Sequence, residues 1–334
     1  MSTATAAQTD RACGALYGLA IGDALGMPTQ MMSHEAILDR FGALDGFYAA
    51  RDDHPLAAGM PAGSITDDTE QALVLARVLI AHGGQVDPAE FAHLLLSWED
   101  DMRARGSLDL LGPSTTRALA AILAGVSVHE AGRLGTTNGA AMRVTPVGLA
   151  VGSTDLDALV DRVAEASQVT HHTGIAISGA AAVAAAVSAG IDGAGMAEVI
   201  PVAIEAASLG AGRGSWVAAG QVARRIRWAV DLMDPAHPEE SVRDIYELVG
   251  TSLATQESVP AAFAVLALFP ADPWRACLAA ASLGGDSDTI AAMAGAVAGA
   301  CHGMGGFPAS AIETIRRVND LGLEQVALDL IALR

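Results

Sequence analysis

Apolar residues recur at three- and four-residue intervals along almost the whole chain, and runs of alternating β-branched residues are missing, so the pattern predicts an all-α protein. The spacing places helices over 10–27, 67–82, 88–104, 114–124, 138–151, 155–169, 173–190, 195–208, 215–234, 238–251, 258–268, 272–283, 287–302 and 308–332. Short connectors such as "GGQVDP", "STDLD" and "DPAHPEE" carry the Gly, Pro and Asp that stop one helix and start the next. The longest stretch without helical period is about 42–66, and a loop of that length in a compact domain is often functional. With no fixed-period repeat and no low-complexity tail, residues 1–334 read as a single compact multi-helix bundle, its core over about 10–305.

Composition sharpens that picture. Hydrophobic residues make up 51% of the chain but aromatic ones only 4%, with 36 glycines, so small side chains on closely approaching helices must fill the core. The uncharged segment 174–191 is long enough to span a bilayer. Its Ala and Gly supply little transfer energy and its ends lack aromatic anchors, so it is expected as a buried helix of a bundle. The formal net charge is −19, and every one of the 19 basic residues is Arg. Such a chain repels nucleic acid and anionic membrane, and a phosphate-bearing ligand would need metal, helix N-termini or a few placed arginines. Cys13, Cys277 and Cys301 have neither pairing nor zinc spacing and are expected as buried thiols. With an N-terminus unlike a signal peptide, this suggests a cytoplasmic protein.

Five polar motifs interrupt the apolar pattern. Thr66-Asp67-Asp68-Thr69 and Asp286-Ser287-Asp288-Thr289 each open a small-residue helix with two carboxylates beside a Thr hydroxyl. Oxygen-only donors of this kind suit Mg²⁺, with Mn²⁺ as the nearest substitute. Asp is also a favoured N-cap, and Asp67 with Glu70 has capping-box spacing, so capping and ligation both stay open. Gly284 and Gly285 precede the second pair as though something must approach the backbone closely. Asp23, in "GLAIGDALGMPTQ", interrupts an apolar helix and must be paired, as a cap for a neighbouring helix or as a site residue. Asn138 and Gly139 mark a helix start that could hold an anion or be an ordinary cap, with Arg143 one turn later. His171 and His172 lack the i, i+4 spacing of a zinc pair and read as loop, cap or core residues.

In order, GDALG, TDDTE, TNGAAMR, THHTG and GGDSDT resemble the signature of the ADP-ribosylglycohydrolase family, which includes the dinitrogenase reductase-activating glycohydrolase, from about Gly14 to Gly303. The resemblance implies a compact all-α bundle with two Mg²⁺ or Mn²⁺ ions. Thr66, Asp67 and Asp68 would ligate on one side, and Asp286, Asp288 and Thr289 on the other. It further implies hydrolysis of the N- or O-glycosidic bond at the anomeric carbon of a ribosyl or ADP-ribosyl substrate, either a small molecule or an ADP-ribosylated protein. Asn138, Gly139, Arg143, His171, Gly285 and Ser287 are the substrate-binding candidates on this basis, and Asp109, Asp68 and Gln30 the catalytic ones. Asp109 stands where reductase-type members place a water-activating Asp. Gln30 stands where several members carry a Glu, and an amide cannot serve as a carboxylate base. That departure keeps open a nucleoside N-glycosidase acting on a small riboside, and a non-catalytic binding member.

Overall fold

The computed structural model describes residues 4–107 and 111–334. Its helices are α1 (Ala6–Gly26), α2 (His34–Phe41), α3 (Asp67–Ala81), α4 (Pro88–Ala104), α5 (Pro113–Leu123), α6 (Val128–Ala131), α7 (Gly139–Met142), α8 (Thr145–Ala150) and α9 (Leu156–His171). There follow α10 (Gly174–Ile191), α11 (Met196–Gly210), α12 (Val222–Asp231), α13 (Pro238–Asp244), α14 (Thr255–Leu268), α15 (Pro273–Ala281), α16 (Ser287–His302), α17 (Ala309–Asn319) and α18 (Leu323–Ile331). No strand occurs among the described residues, which agrees with the all-α expectation.

The centre of the bundle is the pair α1 and α16. Gly14, Gly18, Gly22 and Gly26 recur every four residues and so share one face of α1. A Cβ added at Gly18 would lie 2.0 Å from the Gly295 carbonyl oxygen, and one at Gly22 only 1.9 Å from that of Ala291. The two backbones are therefore in direct contact, which is what small residues permit and larger ones forbid. α10 packs across α16 and against α8, α9 and α11, and every one of its residues is buried. It is long and apolar enough to cross a membrane, and its whole surface is covered by other helices. One continuous apolar core runs from Ala12 to Ile331 and includes Cys13, Cys277 and Cys301 as free, buried thiols.

Where the observed elements depart from the periodicity, a local cause is visible. The expected helix 138–151 is two short ones, because the ring of Pro146 would collide with the carbonyl of Met142, where α7 ends. The expected helix 308–332 breaks at Asp320 and Gly322, both left-handed at φ 48° and 63°. That break sets Asn319 against the loop before α3: its amide donates to the Gly63 carbonyl at 2.8 Å and its oxygen accepts the Ile65 N–H at 3.2 Å. α14 runs through Pro260, and the Gln256 carbonyl that the proline leaves unpaired accepts the Arg225 guanidinium instead. Between Phe41 and Asp67 the chain makes only turns and bends, as expected.

Candidate active site

α1 delivers its C-terminal turn to the start of α3. Asp23 is wholly buried, and its carboxylate accepts the Thr66 N–H at 2.9 Å, the Thr66 hydroxyl at 2.7 Å, the Thr69 N–H at 3.1 Å and the Thr69 hydroxyl at 2.5 Å. Burial pushes the Asp23 carboxyl up to about 6, against the downward pull of the Thr69 and Thr66 hydrogen bonds. The capping role left open for Asp23 is thus the one the structure supports. The N-cap residue itself, Thr66, makes no side-chain capping bond. The capping box expected of Asp67 and Glu70 does not form, because Asp67 is the first helical residue and Glu70 turns to the Trp98 indole and to Arg105, 3.2 Å away.

The same arrangement recurs at α16, whose N-cap Asp286 also makes no side-chain capping bond. Its carboxylate accepts the Asn138 amide, which also donates to the Ser258 hydroxyl at 3.0 Å. Backbone bonds clasp both residues to one loop: Asp286 N–H donates to the Thr251 carbonyl at 2.7 Å, and Asn138 N–H to that of Leu253 at 2.9 Å. Gly284 and Gly285 sit at φ 80° and 66°, where a Cβ would lie 2.5 Å from the Met32 carbonyl oxygen and 2.4 Å from that of Thr251. The close backbone approach read from the sequence is made by the protein's own chain.

The two acid pairs meet. The Thr289 hydroxyl of α16 donates to Asp68 Oδ2 of α3 at 3.2 Å, across 221 positions of sequence, and Thr66 Oγ1 lies 3.3 Å from the same oxygen. Asp68 Oδ1 is buried without a hydrogen-bond partner. Asp67, Asp286, Asp288 and Thr289 line a cavity of about 320 Å³ together with Gln30, Asn138 and Gly139. Thr66, Asp68 and Ser287 stand behind that wall; the buried Ser287 hydroxyl pairs with that of Thr29 at 3.0 Å. Asp109 lies outside the described residues, two positions before the cavity-lining Leu111.

Burial raises the Asp68 carboxyl well above its ordinary value, and the charges of Asp288, Asp67, Asp23 and Asp286 raise it further. Asp286 is raised by burial as well, opposed by its bonds from Asn138 and Thr289. The donors gathered here are oxygens only. Among the described residues no three carboxylate, imidazole or thiol groups already converge as an ion's ligand shell, and Asp67, Asp68 and Asp286 accept neutral amide or hydroxyl donors.

Arg143 and His171, expected at the substrate, are wholly buried instead. Arg143 stacks 5.2 Å over Phe91, and its Nη1 donates to Gln71 Oε1 at 3.1 Å, while Gln71 Nε2 donates to Asp67 Oδ2 at 2.7 Å. On the other side Nη2 donates to the Thr170 hydroxyl, which meets His171 Nδ1 at 2.7 Å; His171 Nε2 meets the Thr137 hydroxyl at 2.9 Å. Burial pushes Arg143 down to about 10, partly offset by Asp67, and burial holds His171 neutral. A guanidinium can only donate, so it polarises this chain outward to two cavity residues, Asp67 and Thr137. Thr137, His54 and Leu253 were not singled out in the sequence. Thr137 adjoins Asn138 in the TTNG motif and could have been noticed, whereas nothing local marks the other two.

The ADP-ribosylglycohydrolase family profile matches residues 4–334. YegU of Escherichia coli (strain K12), described as uncharacterized, is 35% identical over 98% of both chains. The ADP-ribosyl-[dinitrogen reductase] glycohydrolase of Rhodospirillum rubrum is 28% identical over 90% of this chain and 88% of its own. A solved structure described as an ADP-ribosylglycohydrolase-related protein complex superposes with a TM-score of 0.71 at 25% identity, covering 98% of both chains. With the family profile matching residues 4–334, the chain whose two acid-bearing helix starts meet at one cavity belongs to the ADP-ribosylglycohydrolase family of glycosidic-bond hydrolases.

Proposed function

We propose that the protein is a divalent-metal-dependent hydrolase of the N- or O-glycosidic bond at the anomeric carbon of an ADP-ribosyl or smaller ribosyl substrate. The observation that carries this reading is the meeting of the α3 and α16 acids at one cavity. Three features make the site suitable for Mg²⁺, or Mn²⁺ in its place: oxygen-only donors, a buried Asp68 oxygen without a partner, and an Asp68 carboxyl raised by burial and by the charges of the carboxylates around it. Thr66, Asp67 and Asp68 would hold such ions from one side, and Asp286, Asp288 and Thr289 from the other. Bound as a pair, they supply Lewis-acid polarisation and orientation of sugar hydroxyls and a water.

The chain's own residues contribute the rest. Negative charge from the Asp cluster favours the positive charge that an oxocarbenium-like transition state gathers on the sugar. Asn138 fixes the Asp286 carboxylate, and Gln71, backed by Arg143, fixes that of Asp67. Asp109, by its place in the family pattern, is proposed as the base that takes a proton from the attacking water. One observation favours a smaller riboside over a diphosphate: no Arg lines the cavity among the described residues. The related Rhodospirillum rubrum protein, by its name, acts on an ADP-ribosylated protein, and that class of substrate is proposed beside free ribosides.

The test is sugar release from ADP-ribosyl-arginine, ADP-ribosyl-serine, O-acetyl-ADP-ribose and simple nucleosides, with Mg²⁺, Mn²⁺ or EDTA. Hydrolysis that EDTA abolishes and that falls at least about a hundredfold in Asp288→Ala is expected. Metal-independent turnover, or full activity in that variant, sinks the proposal.

A further inference from the structure

Gln30 lies four residues past the end of α1, in the turn that carries the chain to the cavity, and its backbone is occupied on both sides. Its N–H donates to the Gly26 carbonyl at 3.0 Å, and its own carbonyl accepts His54 Nε2 at 3.0 Å. His54 Nδ1 accepts the backbone N–H groups of Leu56 and Ala57, at 3.2 and 2.9 Å, so the ring hydrogen sits on Nε2 and the ring can only donate to Gln30. The next residue is fixed as well. Met31 holds φ 63°, a left-handed conformation that costs a non-glycine residue, and its N–H donates to the Gly285 carbonyl at 2.7 Å.

Against this rigid backbone stands one loose end. Gln30 is only 4% exposed and lines the cavity, yet its side-chain Nε2 has no hydrogen-bond partner and is shielded from solvent. A buried amide donor without an acceptor lowers stability, and the surrounding bonds prevent the backbone from moving to relieve it. Strain held in place at a cavity wall is a reason to look for the missing acceptor in a ligand.

We infer that Gln30 is a specificity-determining residue whose amide donates to an uncharged oxygen of the substrate, a ribose hydroxyl under the hydrolase reading on which this rests. A hydroxyl oxygen takes such a bond without bringing further charge into the cavity that Gln30 shares with Asp67, Asp286 and Asp288. The terminal torsion of a glutamine is broad, so the amide reaches a ligand without backbone movement. A glutamate here would, while ionised, offer no donor.

The experiment compares wild type with Gln30→Met, which keeps the length and removes the donor, in Mg²⁺ with ADP-ribose, adenosine and ribose as probes. Ligand-free Gln30→Met should melt at or above wild type, and its calorimetric Kd for whichever probe wild type binds should be about tenfold weaker. Gln30→Glu should also bind that probe more weakly at pH 8. A purely structural glutamine predicts the reverse, a lower melting temperature with an unchanged Kd, and that result overturns the inference. Wild type that binds while both variants bind equally well overturns the Gln30 assignment alone. Wild type that binds none of the three probes overturns the hydrolase reading and this inference together.

Discussion

Asp23 shows how a single residue decides what its neighbours can do. By accepting four donors from Thr66 and Thr69 it caps α3 from outside, so the helix does not depend on its own acids for that purpose. Asp23→Ala leaves those donors buried with nothing to accept them. It should lower the unfolding free energy by about 3 kcal/mol or more in urea titration, whereas an ordinary exposed cap costs nearer 1 kcal/mol. The sequence marked Asp23 as needing a partner but could not say which, since the partner is 43 residues away. Arg143 and His171 were visible as polar residues in motifs, and both were expected at the ligand. Their side chains point into a buried relay instead, because direction depends on which turn of α9 faces α7, and no local pattern encodes that.

Among the elements, the strongest dependence is of the site on the contact between α1 and α16. A Cβ at Gly26 would lie 2.3 Å from the Cα of Asp288, so the glycine face that packs the core also sets the position of a candidate ligand. Gly22→Ala pushes a methyl group into the Ala291 carbonyl and should cost about 3 kcal/mol, read as a lowered midpoint of thermal or urea unfolding. An unchanged midpoint would show that the two helices can part without loss. Long helices with sustained period, such as α4, α10 and α16, lie within a residue or two of their expected bounds. The short α2 is absent from the expected helices: its eight residues are fewer than the window over which a helical period is read. The single helix read over 308–332 is two, because the left-handed Asp320 is an exception that composition does not announce.

Across the whole molecule, distant segments are tied by charge as well as by packing. The Arg334 guanidinium donates to the carbonyls of Gly148, Leu149, Val151 and Ser188 and pairs with Asp192 at 2.7 Å, joining the ends of α8 and α10. Burial alone would raise the Asp192 carboxyl, but hydrogen bonds from Arg334 and Ser153 outweigh it and hold it below the ordinary 3.8. A depressed folded value means that this contribution is complete above the unfolded value and is lost as pH falls through the folded one. Melting temperature should therefore drop below about pH 4 more steeply in wild type than in Asp192→Asn, and parallel curves would show that the pair carries no such linkage. What the sequence by itself determined is the helical class, the small-residue core and the two acid-bearing helix starts, because period, side-chain volume and donor chemistry are local properties. Only the tertiary structure decided that those starts face one cavity, that Asp23 frees them from the capping role, and that Gln30 keeps an unmet donor there. Each of these is a contact between residues far apart in sequence, set by the approach of helices whose glycines let their backbones touch.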